Sequence, residues 1–325
     1  MKHGRIAGLF IVCAALLPAA VTAQNYPTRP IRMIVPFVPG GSVDFVARII
    51  QPKFSELLGQ QVVIDNRAGA SGNIAVELTA NSPPDGHTIL LGNVGASAIN
   101  PSVFPKFPVH AGRDLQAVTL LVDVPGALGV HAAVPVATLK EFIEYAKARP
   151  GQLNYGSSAA SSAQSLAMEY FMSKAGIKLV SIPYKGGAGA ATLAVLAGEV
   201  TATMLTTASF VPHLKGGKVK VLAVISPKRV SQLPDVPTMI EHGYPELRLG
   251  SWIGVFVAKQ TPPAIVKRIY DTTIKVANDP WVAERLNGGG ALVVTNNSPE
   301  EFAQFMRAQT EFWAKLVKQA GVAIE

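Results

Sequence analysis

Cysteine is almost absent: among 325 residues only Cys13 carries a thiol. It lies in an amino-terminal stretch with three parts: the charged Met1-Lys2-His3-Gly4-Arg5, the apolar run Ile6–Ala20, and the small-residue end Val21-Thr22-Ala23. That is the layout of a secretory leader cut after Ala23. A lipid-anchored leader needs a small residue before the cysteine, and Val12 stands there. The mature chain, 325 − 23 = 302 residues, then has no thiol. This excludes disulfides, a thiol nucleophile and cysteine-based metal sites, and leaves an exported chain to rely on its core. Long apolar runs are also missing after the leader. The leader's own run is shorter than the roughly 20 residues of a spanning helix, so a soluble exported product is expected.

Charge is sparse as well. Loss of Lys2 and Arg5 takes the net charge from +8 to +6, and the remaining lysines and arginines are scattered. No basic helix or interleaved aromatic pattern appears, so nucleic acid is not an expected partner. A mildly basic exported chain suits anionic solutes.

Enzyme signatures are missing too. Gly156-Ser157-Ser158-Ala159 lacks the second glycine of a nucleophile elbow. Tyr170 and Lys174 have a dehydrogenase-like spacing, but Phe171 and Met172 between them mark a helix packed on a core. Gly187-Ala188-Gly189 has no acid about 20 residues on, so the dinucleotide fingerprint fails. His87, His110, His131, His213 and His242 are isolated and lack metal-ligand spacing, so neither a metal nor a cofactor is expected. Asp85, Asp114, Asp123 and Asp235 mostly sit beside glycine or proline and read as turn residues.

What the chain does have is a repeated unit: an apolar strand, a glycine- or serine-rich loop, then a helix. The clearest copy is Ile31–Leu58. Its run Ile31–Phe37 reads as a buried parallel strand that breaks at Pro39-Gly40-Gly41. Gly41 or Ser42 then caps a helix whose apolar positions Val46, Ile49, Ile50, Phe54, Leu57 and Leu58 share a face, with a kink expected at Pro52. Free N–H groups at such a junction, together with the helix dipole, favour an anion. The unit recurs at Gln61–Ala80, at His87–Ser97, at Leu153–Lys174 and at Leu179–Leu196. The pattern predicts two α/β lobes that present such loops to each other across a cleft. Donors cluster at Gly40–Ser42, Gly95–Ser97 and Ser157–Ser162, a neutral shell suited to reversible carboxylate capture. The last helix, opened by Ser298-Pro299-Glu300-Glu301, carries an apolar stripe of Phe302, Phe305, Met306, Trp313, Leu316 and Val317 that reads as core.

Several motifs, in this order and spacing, resemble one family. They are Tyr26-Pro27, Val35-Pro36-Phe37 with Gly40-Gly41 and Asp44, Asp65-Asn66-Arg67 with Gly69-Ala70 and Gly72-Asn73-Ile74, and Pro84-Asp85-Gly86 with Asn100-Pro101. Further on stand Pro150-Gly151-Gln152-Leu153-Asn154-Tyr155, Pro183-Tyr184-Lys185-Gly186, Leu233-Pro234-Asp235-Val236-Pro237-Thr238 and Ser298-Pro299-Glu300-Glu301-Phe302. Together they resemble the periplasmic solute-binding components of tripartite tricarboxylate transporters, the Bug family.

The resemblance implies a two-lobe α/β fold of the type II periplasmic binding protein kind, a Venus flytrap, with no catalytic activity. Residues 24–125 and 249–325 would form the first lobe and 126–248 the second. It also implies a small carboxylate ligand (a di- or aromatic carboxylate, or an amino acid), membrane transporter subunits as partners and a periplasmic location; monomer is the default oligomeric state. By carry-over, Phe37, Gly41, Ser42 and Asp44 line one side of the cleft with Ser97 nearby, and Ser157, Ser158 and Ser162 line the other with Tyr184 close.

Two positions depart from the family pattern. Ser165 stands where a histidine is common, and Thr206 where an aspartate is. Loss of that acid argues for a ligand with no ammonium group at that wall. The competing readings are a sensor subunit that presents its closed form to a membrane signalling protein, and an exported hydrolase. The hydrolase lacks a partner histidine or acid for any loop serine.

Overall fold

The structure is a computed structural model that describes residues 26–157, 162–184, 187–247 and 250–320. The leader and Ser158 lie outside the described residues. The chain opens with β1 (Ile31–Val35), α1 (Ser42–Leu58), β2 (Val62–Asn66), α2 (Asn73–Ala80) and β3 (Thr88–Asn93). Short helices α3 (Asn100–Val103) and α4 (Ala111–Asp114) lead into β4 (Leu115–Val124). Next come β5 (Gly126–His131), α5 (Leu139–Lys147), β6 (Asn154–Ser157), α6 (Ala163–Ala175), β7 (Val180–Pro183), α7 (Gly187–Ala197), β8 (Ala202–Thr206), α8 (Thr207–Phe210) and β9 (Val219–Ile225). The chain returns through β10 (Ser251–Ala258), α9 (Pro263–Ala277), α10 (Pro280–Gly288), β11 (Leu292–Val293) and α11 (Pro299–Ala320).

Two mixed sheets result. One has the order β11-β4-β10-β3-β1-β2, the other β7-β6-β8-β5-β9. In the first, β1 pairs in parallel with β2 and β3, while β10 runs antiparallel between β3 and β4. In the second, β6 is parallel to β7 and β8, and β5 is antiparallel to β8 and β9. β4 belongs to one sheet and β5 to the other, so the chain crosses at Pro125; it crosses back before β10. This is the two-lobe α/β architecture that the repeated unit predicts.

Burial explains the local choices. Met33, Ile34 and Val35 of β1 are fully buried, as a strand covered on both faces requires. α1 buries Val43, Val46, Ala47, Ile50, Phe54 and Leu58 along one face and ends at Gly59 in the left-handed region. It runs through Pro52 without a break, where the sequence suggests a kink. Thr138 caps α5 by accepting from the Glu141 N–H, and Asp279 caps α10 through Trp281 and Val282. The region Gly92–Ser97, expected to be a loop, extends β3 to Asn93 and then forms a π turn, Gly95–Ile99.

α11 binds the lobes to each other. It packs on β4, α3 and the π turn of one lobe and on α6 of the other. Its stripe Phe302, Met306, Trp313, Leu316 and Val317 is buried, as expected. Trp252 of β10 and Trp313 both donate their indole N–H to the buried Gln309 Oε1, each at 3.0 Å. Gln309→Leu would strand both donors in the core and is expected to cost about 2 kcal/mol. Urea unfolding measures this, and an unchanged midpoint would show that the indoles find other acceptors.

Candidate functional site

The carboxyl ends of β1, β2 and β3 carry one wall. Pro36, Phe37 and the loop to Gly41 follow β1. The Asn66 side-chain amide ties this loop down, donating to the Phe37 carbonyl at 3.0 Å and to Asp44 Oδ1 at 3.1 Å. Asp44 itself is buried and accepts from the Gly40 N–H at 2.9 Å and from Arg48 at 2.8 and 3.1 Å. Burial would raise its pKa, but these donors outweigh it and hold the carboxyl below its usual range. Its charge is therefore spent on shaping the loop.

The three loops meet at Gly72. A Cβ there would lie 2.8 Å from Ala96 Cβ and 3.2 Å from Pro36 Cβ, and the residue sits at φ +96°. Only glycine admits both the close approach and the backbone angle. Phe37, half-buried, leans over this point.

Gly41 is the N-cap of α1 and supplies no side-chain hydrogen bond. The first-turn amides of this 17-residue helix thus lack an intrahelical acceptor, and Gly41 and Ser42 are exposed beside them. A carboxylate placed there would meet N–H donors and the positive end of the helix dipole.

β6 and β8 carry the other wall. Ser157 and Ser162 do not act alone: both hydroxyls meet Ser165 Oγ, at 3.0 and 2.8 Å, and Ser162 caps α6 through the Ser165 N–H. Ser165 is the buried hub of this network. Thr206 ends β8, half-buried, with its hydroxyl 3.1 Å from Ser209 Oγ. The next residue, Thr207, is fully buried, and its hydroxyl has no hydrogen-bond partner among the described residues.

Phe37, Gly41, Ser42 and Asp44 therefore share the junction of β1 and α1, while Ser157 and Thr206 end the neighbouring strands β6 and β8 and Ser162 caps α6. Two expected residues are not brought to these groups. Ser97 is fully buried within the π turn, its Oγ 2.5 Å from where a Cβ on Gly92 would stand, so it faces the sheet. Tyr184 leans back over Gly156 and donates its hydroxyl to Glu199, which precedes β8, at 3.3 Å. Burial and that bond raise its pKa.

Asn66, Ser165 and Thr207 were not singled out as ligand contacts in the sequence. Asn66 had a signal in its Asp-Asn-Arg motif, and Ser165 in its spacing from Ser162; Thr207 had none. A further omission is Asp123, read as a turn residue. It lies inside β4, opposite Trp252 and Leu292, and is 8% exposed. The signal available was a single acid in the apolar run Leu115–Val124.

Comparison with known proteins gives these walls a context. A sequence profile described as "Tripartite tricarboxylate transporter family receptor" matches residues 46–322. Protein BugT of Bordetella pertussis is 35% identical over 321 residues, 98% of each chain. Among solved structures, R. palustris Rpa4515 with adipate superposes with a TM-score of 0.83 at 34% identity, covering 92% of this chain and 99% of that one. MatC of Rhodopseudomonas palustris, with bound malate, gives 0.79 at 30% identity, covering 90% and 100%. With the family profile covering residues 46–322 and a relative 35% identical over 98% of each chain, the chain belongs to the tripartite tricarboxylate transporter receptor family.

Proposed function

We propose that this receptor captures a small dicarboxylate without an ammonium group in the periplasm, between a first lobe of residues 24–125 and 249–325 and a second of 126–248, and presents it to the membrane subunits of its transporter. One observation carries the reading: the walls offer hydroxyls and backbone N–H groups, and the single carboxylate among the expected contacts, Asp44, is already saturated by Arg48, Asn66 and Gly40. No other acid stands among the described residues of the proposed contacts to hold an ammonium, and Thr206 adds none. Neutral donors and a helix end suit carboxylate oxygens. The adipate and malate found in two relatives belong to the same chemical class. Phe37, Gly41, Ser42, Ser157, Ser162 and Thr206 are the proposed contacts. Lobe closure on the ligand, not bond-making, is the functional event.

A thermal-shift panel tests this on the mature protein. Dicarboxylates of four to six carbons are compared with their amides, with aromatic monocarboxylates and with amino acids. Ligand at 100 times its Kd adds roughly 2.7 kcal/mol, so the midpoint should rise for a dicarboxylate and not for its diamide. Thr206→Asp, by placing a like charge on the wall, is expected to weaken that ligand at least roughly tenfold. Tight binding of an amino acid that disappears with its ammonium group would overturn the reading.

A further inference from the structure

α7 is a surface helix with no polar outer face. Its sequence, GAGAATLAVLA, contains no charge and one polar side chain, Thr192, which is buried and donates to the Ala188 carbonyl of its own helix at 2.8 Å. The outward positions are Ala188, Gly189, Leu193 and Ala197, and Leu193 is 65% exposed. A surface helix of a soluble protein ordinarily carries charged residues there. Beside it lies a groove of about 710 Å³, lined by Leu193, Leu196 and Ala197 from the helix and by Pro212 and His213 from the 3-10 turn Val211–Gly216.

The apolar surface continues onto β7. Val180 and Ile182 are in register with Asn154 and Gly156 of β6, and a Cβ on Gly156 would touch Ala191 of α7. Side chains alternate across a strand, so Val180, 47% exposed, projects on the α7 side of the sheet. β7 is an edge strand with β6 as its one partner. Helix and groove adjoin, and the edge strand presents Val180 on the same side of the sheet; exposed apolar surface of this kind marks an interaction site.

We propose that this face is where the membrane subunits of the transporter dock, through an apolar helix or loop that carries carboxylates at its ends. The proposal rests on the receptor reading above. The rim supplies the charge argument: His213 and Lys218 line the groove, Lys215 stands between them in sequence on the same 3-10 turn as His213, and all three are exposed and make no ion pair among the described residues, while the one acid lining the groove, Glu199, accepts from Tyr184. A carboxylate-bearing segment complements such a rim. A second copy of this chain would set cations against cations, and the concavity fits a protruding side chain rather than a flat lipid surface. The position also couples docking to capture. α7 begins directly after the chain leaves the serine-bearing wall, where the Tyr184 N–H donates to the Ser157 carbonyl at 2.9 Å. A partner seated on α7 would therefore feel that wall move.

The test is biolayer interferometry of mature receptor, saturated with the dicarboxylate that the panel identifies and also without it, against nanodiscs holding the membrane subunits of a tripartite tricarboxylate transporter from the same genome. Leu193→Asp and the double variant Lys215→Glu/Lys218→Glu are each expected to weaken binding at least tenfold, and the double variant to lose most of the salt dependence. Both should keep the wild-type melting midpoint and ligand-induced shift, which separates loss of docking from loss of capture. Wild-type affinity in Leu193→Asp would overturn the proposal, as would absence of wild-type binding. Equal binding to subunit-free nanodiscs would assign the face to lipid. Wild-type dimers in light scattering that Leu193→Asp abolishes would assign it to a second copy. Either result would overturn the proposal as well. A panel with no ligand would instead refute the capture reading, with docking judged on the unliganded nanodisc arm.

Discussion

Asp123→Asn is expected to raise the melting midpoint at pH 8 and to leave it level or lower it at pH 4. The wild-type carboxyl is pushed up to about 7 by burial, against the smaller opposing effect of backbone donors at Gly250 and Val124. Among the described residues its Oδ1 has no hydrogen-bond partner and no charged side chain offsets the cost: β10 and β11 place Trp252 and Leu292 opposite it. The folded pKa lies above the ordinary value of 3.8, so between those limits the folded state holds more proton than the unfolded one. Stability is then greatest at the acid end and falls as pH rises through about 7. The full difference, about three pH units, corresponds to roughly 4 kcal/mol lost by pH 8.

Asparagine cannot ionise and keeps an oxygen for the backbone donors. Its own amide would stand where Oδ1 is unpartnered, which returns about 1–2 kcal/mol of the gain. The net expectation is about 2 kcal/mol at pH 8, a midpoint higher by roughly 5 °C, with the sign lost or reversed at pH 4. Thermal unfolding of both proteins from pH 4 to 8 checks it. A constant gap across that range, or a less stable variant at pH 8, would show that the carboxyl is not carrying a buried charge.

That Asp123 was misread while its strand was placed shows where the sequence speaks. Regular elements were legible: α2, β9 and β10 lie where the apolar pattern puts them, and the α11 stripe is buried as its spacing requires. In those segments one period decides both the element and its face. The junction after β1 was legible for the same reason, since a strand, a glycine turn and an uncapped helix all follow local rules. Asp123 stands one residue before Val124 and two before Pro125, so local rules favour a turn. What overrides them is long-range pairing with β10 and β11, which carries the strand past the acid. The orientations of Ser97 and Tyr184 were not legible. Both follow a strand end, where the alternation has stopped, and their directions depend on Gly92 and Gly156 leaving room on a face that sequence does not assign. The role of Asp44 was half legible: its place at the junction is local, but its saturation depends on Asn66, which β2 delivers from another loop.

The same two crossovers carry the second large effect. Gly250 packs against the outgoing chain so closely that a Cβ would lie 2.2 Å from the Val124 carbonyl oxygen, 2.8 Å from Pro125 Cα and 2.9 Å from the Gly126 nitrogen. All three are backbone atoms, so no side chain can turn aside, and Gly250→Ala has to move one crossover off the other. That separation breaks the contact on which Ser251 pairs with Val124 and pulls the Gly250 N–H from Asp123. The expected cost is about 3 kcal/mol, at the upper end of overpacking effects because the obstacle is rigid. Gly112→Ala and Gly216→Ala serve as controls: neither site has an atom within 4 Å of a built Cβ or a positive φ, and both should fall within about 0.5 kcal/mol of wild type. Function should follow stability here. On the proposed closure of the lobes, two crossover segments in backbone contact turn together, so displacing one alters the closed geometry, and ligand affinity should fall at least tenfold in Gly250→Ala while the controls keep it. A variant with lowered stability but intact affinity would separate the crossover contact from closure. A variant indistinguishable from Gly112→Ala would mean that the chains are not held together at this point.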